Sequence, residues 1–207
     1  MNKIFTRRSL FLYSVLFIFS CKFALSSEIK LFTHKVGNKN AKISVKEYFS
    51  LTCGHCANFH LKTFPKIKKE MIDSGLIKFE FVDYPLDRLA MYAVALIRSL
   101  PNESYLDAIN ILFKNQKKWA YSNKPLDELF VIAKMFGISK HSFDKIIKNY
   151  DLMQKVLNKM EKDSKIHDIQ STPTFIINDK YKISGMLSFD DFKKKLKRFT
   201  TSKNSNG

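Results

Sequence analysis

Two cysteines stand two residues apart in Cys53-Gly54-His55-Cys56, a spacing that lets them close into a disulfide and open again. A bridge spanning so few residues removes little chain entropy, so stapling the fold would be a poor use of it. Thiol–disulfide exchange is the better use. There the thiolate both attacks and leaves, so one sulfur must be held as an anion while the other resolves the mixed disulfide. Cys53 is the candidate anion, because its setting reads as the start of a helix, where unpaired backbone N–H groups and the positive end of the dipole lower a thiol pKa. His55, able to carry positive charge, is expected to push the same way. Cys56, one turn in, is expected to be buried and to act as the resolving thiol. A zinc site drawn from Cys53, Cys56 and His60 is the rival. Structural zinc wants four ligands, usually two such pairs, and the second pair is missing, so no metal is expected.

The positioning elements follow from periodicity. Ile43 to Phe49 alternates as a strand and places Glu47 on an apolar face. Apolar residues at Phe59, Ile67, Met71 and Ile72 then recur at helical spacing until Ser74-Gly75, with Pro65 expected to kink the helix. Ile77–Val82 reads as a second strand. Helical patterns fill 88–100, 104–114, 125–136, 142–150 and 152–166, with no strand among them. Strand character returns at Thr174–Asn178 and Tyr181–Ser184 around a turn at Asn178-Asp179-Lys180, and Ser188 can cap a last helix that buries Phe192, Leu196 and Phe199. The fold class is therefore α/β with an inserted helical sub-domain. Its expected divisions are a leader at 1–26, a first α/β part at 27–85, the helical block and return helix at 86–167, a second α/β part at 168–200 and a polar tail at 201–207.

With 207 residues, 45% of them hydrophobic, the chain can bury one good core. The formal charge of +17 invites a nucleic-acid reading. Its lysines, however, are scattered along helix faces rather than gathered in a block, so nucleic acid is not an expected partner. Lys3, Arg7 and Arg8 precede an apolar run from Leu10 to Phe19 and then Ala24-Leu25-Ser26, the form of a cleaved secretory signal peptide. The run is about half the ~20 apolar residues that a spanning helix requires, so the mature chain is not expected to cross a membrane. Cys21 as a lipoprotein acceptor and Arg7-Arg8 as a twin-arginine signal are alternative readings of the same segment. Cleavage after Ser26 would remove Cys21 and leave Cys53 and Cys56 as the only cysteines.

Phe49-Ser50-Leu51-Thr52-Cys53-Gly54-His55-Cys56, the helical insertion and Ser171-Thr172-Pro173-Thr174-Phe175 together resemble the DsbA-like branch of the thioredoxin superfamily, over essentially all of the mature chain. The resemblance implies a thioredoxin fold in which a cis Pro173 faces the cysteines, proline being the residue for which cis is cheap. It also implies that Thr172 offers its backbone to an extended client peptide, and that Glu47 is the buried acid managing the proton of the resolving cysteine. Burial favours the neutral form of a carboxyl group, which suits a proton acceptor near neutrality. Gly185 matches a family glycine, and with Gly54 its expected role is structural. No cofactor is implied. Two features depart from the best-known DsbA: Gly-His replaces Pro-His between the cysteines, and Thr replaces Val before the proline.

The leading expectation is an exported oxidase, found in the periplasm, that introduces disulfides into reduced, unfolded client proteins and is re-oxidised by a quinone-linked membrane protein related to DsbB. An isomerase or reductase is the alternative. Protein disulfide isomerase poises near about −180 mV and DsbA near about −120 mV, and the departures leave this chain anywhere between them. Isomerases of the superfamily usually carry an amino-terminal dimerisation domain, for which the roughly twenty residues between leader and first core strand leave no room. A chaperone-like module with incidental cysteines is the non-enzymatic alternative.

Overall fold

The computed structural model describes residues 33–201. The leader expectations, Cys21 included, lie outside them, as does the tail from residue 202. Five strands, β1 (Thr33–Val36), β2 (Ile43–Phe49), β3 (Ile77–Asp83), β4 (Thr174–Ile177) and β5 (Tyr181–Ser184), form one sheet in the order β1-β3-β2-β4-β5. β2 and β3 run parallel, and the other pairs are antiparallel. Parallel neighbours need a crossover, and the helix that begins at the CxxC provides it.

Strand alternation decides which side each residue serves. Val45, Glu47 and Phe49 of β2 share a face with Phe79 and Phe81 of β3 and with Phe175 and Ile177 of β4. That face carries the main core. Tyr48, Val82 and Ile176 point the other way and pack with Ile169. Glu47 is thus the one ionisable side chain that β2 sends into an aromatic core, opposite Phe81 on one neighbour and Phe175 on the other.

The crossover helix has α-helical stretches α1 (Gly54–Asn58) and α2 (Phe64–Ile67), each followed by a π-helical turn, Phe59–Thr63 and Lys68–Ile72. Pro65 explains the first of these turns. A proline ring collides with the preceding turn of a regular helix. Here the turn just ahead is widened, with the Phe64 N–H reaching back five residues to the Phe59 carbonyl.

Between β3 and β4 the chain makes α3 (Arg88–Arg98), α4 (Tyr105–Lys114), α5 (Gln116–Ala120), α6 (Pro125–Met135), α7 (Lys140–Ile146) and α8 (Tyr150–His167). The starts of α7 and α8 differ from the sequence expectation because caps, not periodicity, set them, and α3 and α7 end earlier than expected, at Arg98 and Ile146. The Ser139 hydroxyl accepts from the Ser142 N–H, starting α7 before residue 142, and the Asn149 side chain accepts from the Leu152 N–H, starting α8 at Tyr150. β1 and α5 had not been expected. The β4–β5 turn has positive φ at both Asn178 and Asp179, as the expected hairpin requires. α9 (Phe189–Thr201) closes the chain, with the Ser188 hydroxyl accepting from the Asp191 N–H at 3.1 Å. Phe192 and Leu196 of α9 are buried, whereas Phe199 is only partly so and stacks on Tyr181.

A buried polar cluster ties the insertion to the sheet. Arg98 Nε donates to Asp83 Oδ2 at 2.6 Å, and the Tyr105 hydroxyl donates to the other Asp83 oxygen at 3.2 Å. Arg98 also donates to the Thr33 carbonyl, which fastens β1. Burial pushes the Asp83 carboxyl up while Arg98 pulls it down.

Candidate active site

Cys53 is the residue that caps α1: its backbone is extended, and its Sγ accepts from the Cys56 N–H at 3.4 Å. The Cys53 thiol is lowered to about 5, chiefly by the Cys56 thiol donating to it, against burial, which opposes the shift. The backbone N–H groups of Cys56 and His55 add to the lowering. Cys56 is fully buried and its thiol is pushed well up, first by burial, then by its hydrogen bond to Cys53 and by the negative charge of Glu47. Both cysteines are free thiols. The two sulfurs therefore differ as exchange requires, one a partly exposed thiolate and the other a buried thiol.

His55 is exposed, and its backbone N–H helps to lower the Cys53 thiol. Gly54 has less to do than expected, since a Cβ there would meet nothing within 4 Å and its φ is ordinary. Gly185 differs: its φ is +90°, a region that L side chains rarely adopt, and its N–H donates to the Pro173 carbonyl at 2.8 Å.

The Thr172–Pro173 peptide bond is cis. It brings the Thr172 carbonyl to 3.3 Å from Cys53 Sγ, so the loop expected opposite the cysteines lies against the outer sulfur. Pro173 is buried. Glu47 has no exposed surface, and its Oε2 lies 3.1 Å from His60 Nε2. The approach is not a directed hydrogen bond, and neither Glu47 oxygen nor His60 Nε2 has a hydrogen-bond partner among the described residues. Rings of Phe49, Phe59, Phe64, Phe81 and Phe113 surround His60 at centroid distances of 4.7 to 5.8 Å.

His60 had been weighed only as a zinc ligand, yet it partners Glu47. Among the described residues no group of three or more His, Cys, Asp or Glu is placed to hold a metal ion. Its position four residues beyond Cys56, on the same helix face, was the available signal. Gln116 had no such signal. Its buried side-chain amide donates to the Leu51 carbonyl at 2.8 Å and the Cys53 carbonyl at 3.0 Å, clasping the active-site loop from α5. A second clasp runs from Thr52 Oγ1 to Asp87 Oδ2 at 2.7 Å, and Asp87 also caps α3. Trp119 is wholly buried and donates to the Leu112 carbonyl, whereas Met186 is exposed.

A dithiol at a helix start, a cis proline loop against its outer sulfur and a helical insertion on a mixed sheet define a thioredoxin-fold protein of DsbA-like architecture. The chain belongs to the thioredoxin family, whose model, described as Thioredoxin, matches residues 31–198. It is 29% identical over 170 residues to the Bacillus subtilis protein named Disulfide bond formation protein D, covering 79% of this chain and 75% of that one. It is 31% identical over 144 residues to a Rickettsia typhi protein provisionally named a protein-disulfide oxidoreductase, covering 69% of this chain. The chain spans about half (53%) of that relative's length. The crystal structure of Wolbachia pipientis alpha-DsbA1 superposes with a TM-score of 0.73 at 28% identity, covering 82% of this chain and 92% of that one. Among the described residues no helix is long and apolar enough to cross a membrane.

Proposed function

We propose that this protein is an exported thiol–disulfide oxidoreductase that introduces disulfide bonds into reduced client proteins through Cys53 and Cys56. The observation that carries the reading is the asymmetry of the pair: a partly exposed Cys53 Sγ at the helix start accepts from the Cys56 N–H at 3.4 Å and lies 3.3 Å from the Thr172 carbonyl, whereas Cys56 is fully buried, and the Cys53 thiol is lowered while that of Cys56 is raised. Stabilising the Cys53 thiolate stabilises the reduced form, which makes the oxidised form ready to pass its disulfide on.

In the oxidised protein a client thiolate attacks Cys53 Sγ, forming the client–Cys53 bond while the Cys53–Cys56 bond breaks. The electron pair leaves on Cys56, which is buried and takes a proton. Glu47, buried and near enough for its charge to act on Cys56, is the residue we assign to relaying that proton, with His60 beside it. A second client thiolate then attacks the client sulfur, its new disulfide forms, and Cys53 leaves as the thiolate its surroundings favour. Two client thiols have become a disulfide, the protein holds a dithiol, and the leaving group needs no proton of its own.

The Thr172 backbone beside Cys53 is where an extended client chain would run. The signal-like amino terminus supports export to the periplasm or its equivalent, where disulfides persist. Renewed turnover requires an oxidant, for which the family resemblance supplies a membrane protein related to DsbB. The test is oxidation of a reduced, unfolded client by the oxidised protein. Client thiols should disappear in step with protein disulfide, Cys53→Ser should be inert, and Cys56→Ser whose Cys53 has first been joined to glutathione by oxidised glutathione should release glutathione to the attacking client thiolate and accumulate the client–Cys53 mixed disulfide. A Cys53→Ser protein that complements an export-folding defect as well as wild type would leave only the chaperone-like reading.

A further inference from the structure

Thr172 flanks Cys53 on one side only. On the other, beginning at Gly54, lies a groove of about 610 Å³ between the CxxC helix and the α4–α5 corner. Ala57, Leu61 and Phe113 line it with apolar surface, and Lys114, Lys117 and Tyr121 border it. Leu61 is 37% and Tyr121 68% exposed, so two large apolar side chains stand in water in the groove that begins at Gly54. The groove is also firmly placed, because Gln116 lines it while holding the carbonyls of Leu51 and Cys53.

Its charge is one-sided. No acidic residue lines it. Lys118 next door lies 3.8 Å from Glu128, but Lys114 and Lys117 are exposed and have no ion-pair partner among the described residues. Whatever brings a sulfur to Cys53 must lay its neighbouring residues on one side or the other. On this side they meet an apolar surface bordered by two unneutralised cations.

We propose that this groove receives the client segment next to the reacting cysteine and selects a large apolar residue accompanied by acidic ones. The proposal rests on the thiol-oxidase reading and adds the chemistry of the client. Charge complementarity of this kind acts on encounter and register.

The experiment compares two dithiol peptides, identical except that Leu-Glu-Glu or Leu-Lys-Lys stands beside the first cysteine. The oxidised protein should consume the thiols of the acidic peptide faster, by on the order of three- to tenfold in kcat/KM, the size that a pair of exposed ion pairs supports. The double charge reversal Lys114→Glu/Lys117→Glu, at exposed positions outside the catalytic machinery, should invert the preference and leave oxidation of dithiothreitol unchanged. Equal rates for the two peptides, or a reversal that changes both equally, would overturn the groove while leaving the oxidase reading intact. Failure to oxidise even dithiothreitol would instead remove the oxidase reading. Binding of the serine versions of both peptides, followed by fluorescence anisotropy, reads the same preference without turnover: tighter binding of the acidic peptide supports the groove, and equal binding contradicts it.

Discussion

Glu47 and His60 meet at 3.1 Å, one from the central strand and one from the CxxC helix, with phenylalanine rings around the imidazole. So deep a pair is costly to charge unevenly, and the two residues are expected to work as one unit. Glu47→Gln should slow single-turnover client oxidation by about a hundredfold, the lower end of general acid–base contributions. His60→Phe should cause a loss of the same kind, and the double variant should be no slower than the worse single. His60→Gln, which keeps a donor near the carboxylate, should recover part of the rate. The pH dependence of the single-turnover rate checks this. Additive losses, or a His60→Phe profile like wild type's, would separate the two residues.

The Cys53 thiol, lowered to about 5 from an ordinary 9.0, makes the stability of the reduced protein depend on pH. A group whose pKa falls on folding adds stability that is full above its unfolded pKa and is lost as pH drops through the folded one. The reduced protein should therefore gain stability relative to Cys53→Ser as pH rises from about 5 to about 9. Cys56, shifted upward, contributes evenly across that window and declines only above it. Urea unfolding of both proteins at several pH values, with thiolate absorbance recorded in parallel, tests this. A constant difference between them would show that the thiolate is not stabilised.

Arg98 and Asp83 form a buried pair, with Tyr105 on the second carboxylate oxygen. Arg98→Met leaves the carboxylate buried without its cation and should cost about 3–5 kcal/mol. Arg98→Met/Asp83→Asn should be less damaging, because no charge is stranded. Chemical denaturation midpoints of the two variants give the comparison.

Gly185 holds the loop of Pro173 through its N–H, at φ +90°. Space is open around it, so Gly185→Ala should cost only the backbone strain, roughly 1–2 kcal/mol. A thermal unfolding shift in that range, with the Cys53 titration unchanged, would confine its role to geometry.

Much of this arrangement was legible in the sequence because it is local. β2 alternates cleanly, Cys53 opens a helix, Ser188 caps another, and Thr172-Pro173 precedes a strand. What escaped depends on contacts distant in sequence. β1 is a four-residue edge strand held by β3 and Arg98, and α5 has five residues and no side-chain cap. Gln116 reaches the active-site loop across 63 positions, which no local pattern encodes. His60 was readable as a residue on the buried face but not as the partner of Glu47, because β2 and the helix meet only in the fold.

The most direct measurement is the reduction potential of Cys53–Cys56, read from the oxidised fraction of the protein at equilibrium with glutathione redox buffers. A stabilised Cys53 thiolate opposite a buried Cys56 should place it well above the glutathione couple of about −220 to −260 mV, in the range of disulfide donors. A value near the about −270 mV of thioredoxin would contradict an oxidase and make the protein a reductase that must be supplied with electrons.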